Sequence, residues 1–170
     1  MNVSETTISA IHELNGECFE MNRQWDAAVT ILGVRYVCHT ASKLMHHYIA
    51  HWYPAIADVL NEQCLENFNI EAFYPSTSEG YTNYSNLQDM MNKMLERTID
   101  FQNKVMATRE IANNNKDYSV VVEIDKILLD VNKQVAQMLL INDKAEQYQN
   151  DYTSFDKDFP TFFVLADSEG

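Results

Sequence analysis

Apolar residues punctuate the chain in steps of three and four. Ile11, Leu14, Cys18, Met21, Trp25, Ala28 and Leu32 form the first such series, the spacing that lines one face of an α-helix. It predicts a first helix over about residues 5 to 32, with Gly33 placed just beyond its end, where glycine takes a positive φ at little cost. Gly16 lies inside that helix at a cost of about 1 kcal/mol relative to Ala, which points to close packing there. Val37, Ala41, Leu44, Tyr48, Trp52, Ala55 and Val59 continue the same spacing and predict a second helix over about 37 to 66. Pro54 falls in its middle, removing the bond to the Ala50 carbonyl, so a kink or a break is expected.

Residues 67 to about 84 hold no sustained period and read as a long connection. An extended segment gains about 3.3 Å per residue, enough to run the length of a long helix rising at about 1.5 Å per residue, so the helices on either side of it can be parallel. Ser85-Asn86-Leu87-Gln88 resembles a capping box, after which Leu87, Met91, Met94, Thr98, Phe101, Val105 and Ala112 share a face of a third helix. Asn113 to Lys116 ends it, and Asp117 is placed to cap a fourth helix with Val120, Ile124, Ile127, Val131, Met138 and Ile141 on one side. Val120-Val121-Val122 is β-prone, but the continuing helical spacing outweighs it. The segment from Tyr152 to Leu165 is too apolar for a solvated tail and is expected to pack on the bundle or on a neighbouring subunit.

Composition narrows the function classes. Twelve Lys and Arg face 25 Asp and Glu across 170 residues, a net charge of −13, so a general attraction to nucleic acid or to anionic lipid is absent. Cys18, Cys38 and Cys64 have no metal-like spacing and sit within apolar stripes, reading as reduced core residues suited to a cytoplasmic protein. The N-terminus shows no signal-like pattern, and no apolar run approaches the roughly 18 residues that span a bilayer. Gly-rich phosphate loops and the Gly-x-Ser-x-Gly elbow are also missing from the sequence.

Four long helices, short first-to-second and third-to-fourth turns and one long crossover make an all-α fold that resembles the ferritin-like four-helix bundle, with residues 1–148 as the bundle and 149–170 as a C-terminal tail. Within that superfamily the chain is most similar to the mini-ferritins, the family named for the DNA-binding protein from starved cells (Dps). The resemblance is carried by the turn at Gly33-Val34-Arg35, the pair Asp58-x-x-x-Glu62 late in the second helix, and Pro75-Ser76-Thr77 in the crossover. It implies an iron-binding protein that oxidises Fe(II) with peroxide or O₂, stores the product, and assembles through the second helix into dimers and a hollow shell. The chain departs from the family at Ile31-Leu32, where a His-Trp pair is usual, at Lys43, where a histidine is usual, and at His47, where an acidic ligand is usual.

His47, His51, Asp58 and Glu62 lie four, seven and four residues apart, so a continuous helix presents them as one stripe. In the family two such helices cross at a two-fold axis, which implies that His47 of one chain meets Asp58 of its mate, and Lys43 meets Glu62. Imidazole with carboxylates suits Fe(II) or Zn(II). The same arrangement also makes a plain polar network, with Lys43 on Glu62 and His47 on Asp58 and no metal. The second ferritin site lies inside one bundle and needs inward carboxylates and a Glu-x-x-His, which this sequence lacks; Glu17, Glu123, Asp130 and Gln134 are the flank positions nearest to that role. The opposing reading of the whole chain is a non-catalytic bundle that serves as a structural or protein-interaction module through its apolar tail. The absence of basic residues at either end argues against DNA binding.

Overall fold

The computed structural model describes residues 2–166, and the regular elements among them are all helical. They are α1 (Glu5–Val34), α2 (His39–Met45), a π-helical turn (His46–Ala50), α3 (Trp52–Cys64), a 3₁₀ turn (Glu66–Phe68), α4 (Leu87–Asn114), α5 (Tyr118–Tyr148) and α6 (Tyr152–Phe162). The acidic chain end at residues 167–170 lies outside the described residues.

Cross-links between elements fix the directions. Asn22 bonds Ala50 and Asn61 bonds Asn15, so α1 runs antiparallel to the α2–α3 unit. Gln102 bonds Asn132 and Arg109 pairs with Asp125, so α4 and α5 are antiparallel too. Asn115, at the end of α4, donates to Thr6 and Thr7 at the start of α1. The α2–α3 unit and α4 therefore point the same way, and residues 69–86 must cross the length of the bundle.

Helix ends differ from the simplest sequence reading in instructive ways. Gly33 has no positive φ and stays inside α1; the left-handed turn residue is Val37, at φ 57°. The need at Gly33 is space, because a Cβ there would stand 3.1 Å from Ser42 Oγ. At α4 the cap is Asn86, one residue later than the Ser85 box: its side chain accepts from Asp89 N at 2.8 Å, and Asp89 Oδ2 accepts in return from Ser85 N at 2.9 Å. Asp117 precedes α5 without capping it, and instead accepts from Thr7 Oγ1 at 2.5 Å and from Ser4 N, tying down the start of α1.

Pro54 does more than kink its helix. Without its N–H, the Ala50 carbonyl loses a partner, and Asn22 Nδ2 on α1 supplies one at 2.9 Å. The preceding turn widens to π geometry, with His51 N donating to His46 O at 3.2 Å. The buried face of this unit is Ala41, Met45, Ile49, Tyr53, Ala57, Leu60 and Cys64. It lies one residue away from the Leu44–Tyr48–Trp52 stripe expected from sequence, and Val37 and Val59 from that stripe are exposed. Apolar residues occur on both flanks of this segment, and the π turn shifts the register between its halves.

The apolar C-terminal segment folds as α6 against α2 and α5. Phe155 and Phe159 are fully buried, and Phe159 stacks on Phe163 with ring centroids 5.1 Å apart; such pairs add about 0.5–1.5 kcal/mol each. Asp156 of α6 accepts from Thr40 N and Ala41 N, at 3.2 and 2.8 Å, so it caps α2 from a distance in sequence. Since Phe162, Phe163 and Leu165 are also buried within the chain, this segment is spent on its own core and is not free as a contact for a partner.

The crossover is a strap laid along α1. Asn15 donates to Phe73 O, Gln24 accepts from Tyr81 N, and Arg35 donates to Thr82 O. Glu20 accepts from Ser78 N at 3.0 Å and from the Ser78 hydroxyl. Although burial works the other way, those Ser78 bonds pull the Glu20 carboxyl below its ordinary range. Two glycines set the closeness of the strap: a Cβ on Gly16 would lie 2.5 Å from Pro75 Cγ, and one on Gly80 would lie 2.5 Å from Ala27 Cβ. Gly16→Ala is therefore expected to destabilise the protein by about 1–3 kcal/mol through overpacking, despite its better helix propensity. Thermal unfolding followed by circular dichroism checks this, and Gly16→Ala combined with Pro75→Ala should recover the loss.

Candidate metal centre

The second-helix unit places all four sequence-identified donors, His47, His51, Asp58 and Glu62, on its exposed side. His47 and His51 come near one another, with ring centroids 6.4 Å apart, and His47 also packs edge-on against Tyr48 at 4.5 Å. Asp58 lies seven residues beyond His51, about 10 Å along the helix axis at 1.5 Å per residue. One chain thus presents the imidazoles and the carboxylates at separate levels of the helix, and does not close them around one ion. Among the described residues no group of three or more His, Cys, Asp or Glu is arranged to hold a metal ion. Lys43 is exposed and lines an open cleft of about 530 Å³ with Val34, Val37 and His39.

The bundle interior has a different chemistry. No Asp or Glu is among the buried described residues; the buried polar set is Thr7, Asn15, Gln24, Asn61, Thr98, Thr108, Gln134 and Gln137. At mid-height Trp25, Tyr53 and Phe101 fill the centre, with Tyr53 edge-on to Phe101 at 5.1 Å. The flank carboxylates turn outward into ion pairs: Glu17 meets Lys104 at 2.9 Å and Glu123 meets Lys126 at 3.0 Å. Asp130 is half-buried, and Gln134 is buried with Nε2 3.4 Å from Tyr48 O and Oε1 unpaired. Glu20, which the helix pattern leaves in solvent, is the anchor of the strap instead. This donor set does not fit a metal centre inside the bundle.

The three thiols add no soft ligand there. Burial pushes Cys38 and Cys64 up to about 12, and Cys18 higher still, so each is a neutral thiol near pH 7. All three are free and fully buried.

Sequence reasoning missed one polar residue beside this unit. Asp26 of α1 places Oδ1 3.7 Å from His46 Nε2, and the His46 and His51 rings lie 4.3 Å apart. Residues five apart face different sides of an α-helix, so only the π turn, hinted at by Pro54, brings these two rings together.

No protein-family model and no curated protein matches the chain. Solved structures do. An Archaeoglobus fulgidus ferritin engineered into a closed form aligns with TM-score 0.84 at 12% identity, covering 92% of this chain and 96% of that one. A humanized archaeal ferritin gives 0.85 at 12%, covering 92% and 95%. A PmFTN variant soaked in iron overnight gives 0.82 at 13%, covering 90% and 98%. No described helix is long and apolar enough to cross a membrane.

The burial of the thiols predicts their reactivity. A thiol reagent at pH 8 should label none of Cys18, Cys38 and Cys64 in the native protein and all three after denaturation; rapid native labelling would contradict the packing. With nearly the whole chain superposing on ferritins, at an identity that speaks for architecture alone, the protein has the ferritin-like four-helix fold.

Proposed function

We propose that the chain is a ferritin-like iron-binding protein, of the Dps-like kind, that takes Fe(II) as cargo at a site shared between two copies. His47 of one chain would face Asp58 of its mate, with His51 beside His47 and Glu62 beside Asp58, in a dimer formed through the second-helix unit. The observation that carries this reading is the exposure of all four donors on one unit, with imidazoles and carboxylates too far apart along the axis for one chain to close. Two antiparallel copies would complement each other's halves, and a mixed imidazole and carboxylate set suits Fe(II). The net charge of −13 favours cations at the surface of such an assembly. Oxidation and storage of the bound iron are the activities that the fold's resemblance supplies to this reading. They would proceed at the shared surface, since the bundle interior lacks the carboxylates for them.

A second reading is favoured by that same interior. A bundle whose centre is occupied by Trp25, Tyr53 and Phe101 is a good scaffold without iron chemistry, and the chain would then act as a structural or interaction module. The two readings part on metal dependence. Anaerobic Fe(II) titration of metal-free protein, followed by peroxide, with light scattering on the same sample, separates them. The first predicts stoichiometric binding by a dimer or larger assembly and rapid oxidation, both lost in Asp58→Ala/Glu62→Ala. Binding no greater than in that variant would overturn it in favour of the second.

A further inference from the structure

The π turn does something an α-helix cannot. Its wide hydrogen bond, His51 N to His46 O at 3.2 Å, places residues five apart on the same side, and the two imidazoles lie with ring centroids 4.3 Å apart and planes at 59°. Both rings are exposed. From α1, Asp26 approaches His46 Nε2 with Oδ1 at 3.7 Å, slightly beyond hydrogen-bonding distance. That oxygen is buried and has no hydrogen-bond partner, although a buried acceptor normally finds one. A metal-binding histidine commonly gives its other ring N–H to a carboxylate, which fixes the tautomer and raises the basicity of the ligating nitrogen. Asp26 is placed to be that carboxylate for His46, whose ring lies beside that of His51.

We propose that His46 and His51 form a two-imidazole site for a late first-row divalent cation, Cu(II), Ni(II) or Zn(II), with Asp26 as the positioning residue for His46. Imidazole is the preferred side-chain ligand for these ions. Two ligands from one turn, with water in the remaining positions, need no third side chain and no second copy of the chain. A small rotation of His46 brings Nε2–H onto Asp26 and satisfies its unpaired oxygen. Only His51 is shared with the proposed iron donors, and the site stands or falls independently of that proposal.

Calorimetric titration of the tag-free, metal-free full chain with Ni(II), Zn(II) and Cu(II) tests it, with circular dichroism to confirm that each variant is folded. One equivalent per chain is expected. His46→Gln and His51→Gln should each weaken binding at least about 10-fold, and Asp26→Asn by about 10-fold, the usual scale for loss of an outer carboxylate. In the Cu(II) form, electron paramagnetic resonance should show two coordinated nitrogens in the parent protein and one in each histidine variant. Absence of binding, or binding unaltered by His46→Gln, would overturn the proposal.

Discussion

The missing N–H of Pro54 organises the middle of this bundle. It leaves the Ala50 carbonyl without its helical partner in a buried stretch, where an unmet acceptor costs about 1–3 kcal/mol. Asn22 reaches across from α1 to meet it, and the turn before it opens into π geometry. These two adjustments tie α1 to the second-helix unit at mid-height and set which residues of that unit face inward. Tyr53, next to Pro54, becomes the buried centre against Phe101, while His46, His47 and His51 are turned to the surface.

The same inward set leaves no buried Asp or Glu between the helices among the described residues. Ferritin-type oxidation inside a bundle requires carboxylates in a dry interior, where their charge is tolerated only with a cation among them. Here the carboxylates nearest to the core turn outward to Lys104 and Lys126, and aromatic rings fill the volume. The proposed metal chemistry therefore falls on the outer face of one helical unit and its π turn. The strap strengthens the opposite impression of a fixed frame, since its path along α1 is held by Asn15, Glu20 and Gln24 and by the room that Gly16 leaves for Pro75.

Much of the architecture was legible in the sequence because it rests on period and punctuation. The stripe from Ile11 to Leu32 sits on α1, the crossover occupies the unpatterned segment, and Gly16 does mark a close approach. What sequence could not reveal depended on contacts between distant segments. Asp156 capping α2, Asp117 holding the start of α1 and Glu20 anchoring the strap are carboxylates whose partners lie 58 or more positions away, invisible to any local pattern. The face of the second helix was misplaced by one residue because Trp52 and Tyr53, Tyr48 and Ile49 are equally plausible neighbours for a core until the π turn selects between them. The candidate donors His47, His51, Asp58 and Glu62 were visible as a spacing, whereas the pairing of His46 with His51 and Asp26 required the structure.

The central claim is that metal chemistry in this protein belongs to the surface of the second-helix unit and not to the bundle interior. Anomalous X-ray scattering from crystals of the protein soaked anaerobically in Fe(II) addresses it directly. The account predicts iron peaks beside the exposed imidazoles and carboxylates between residues 46 and 62, and none among Trp25, Tyr53, Phe101 and Gln134. An iron peak enclosed by those four residues would contradict it.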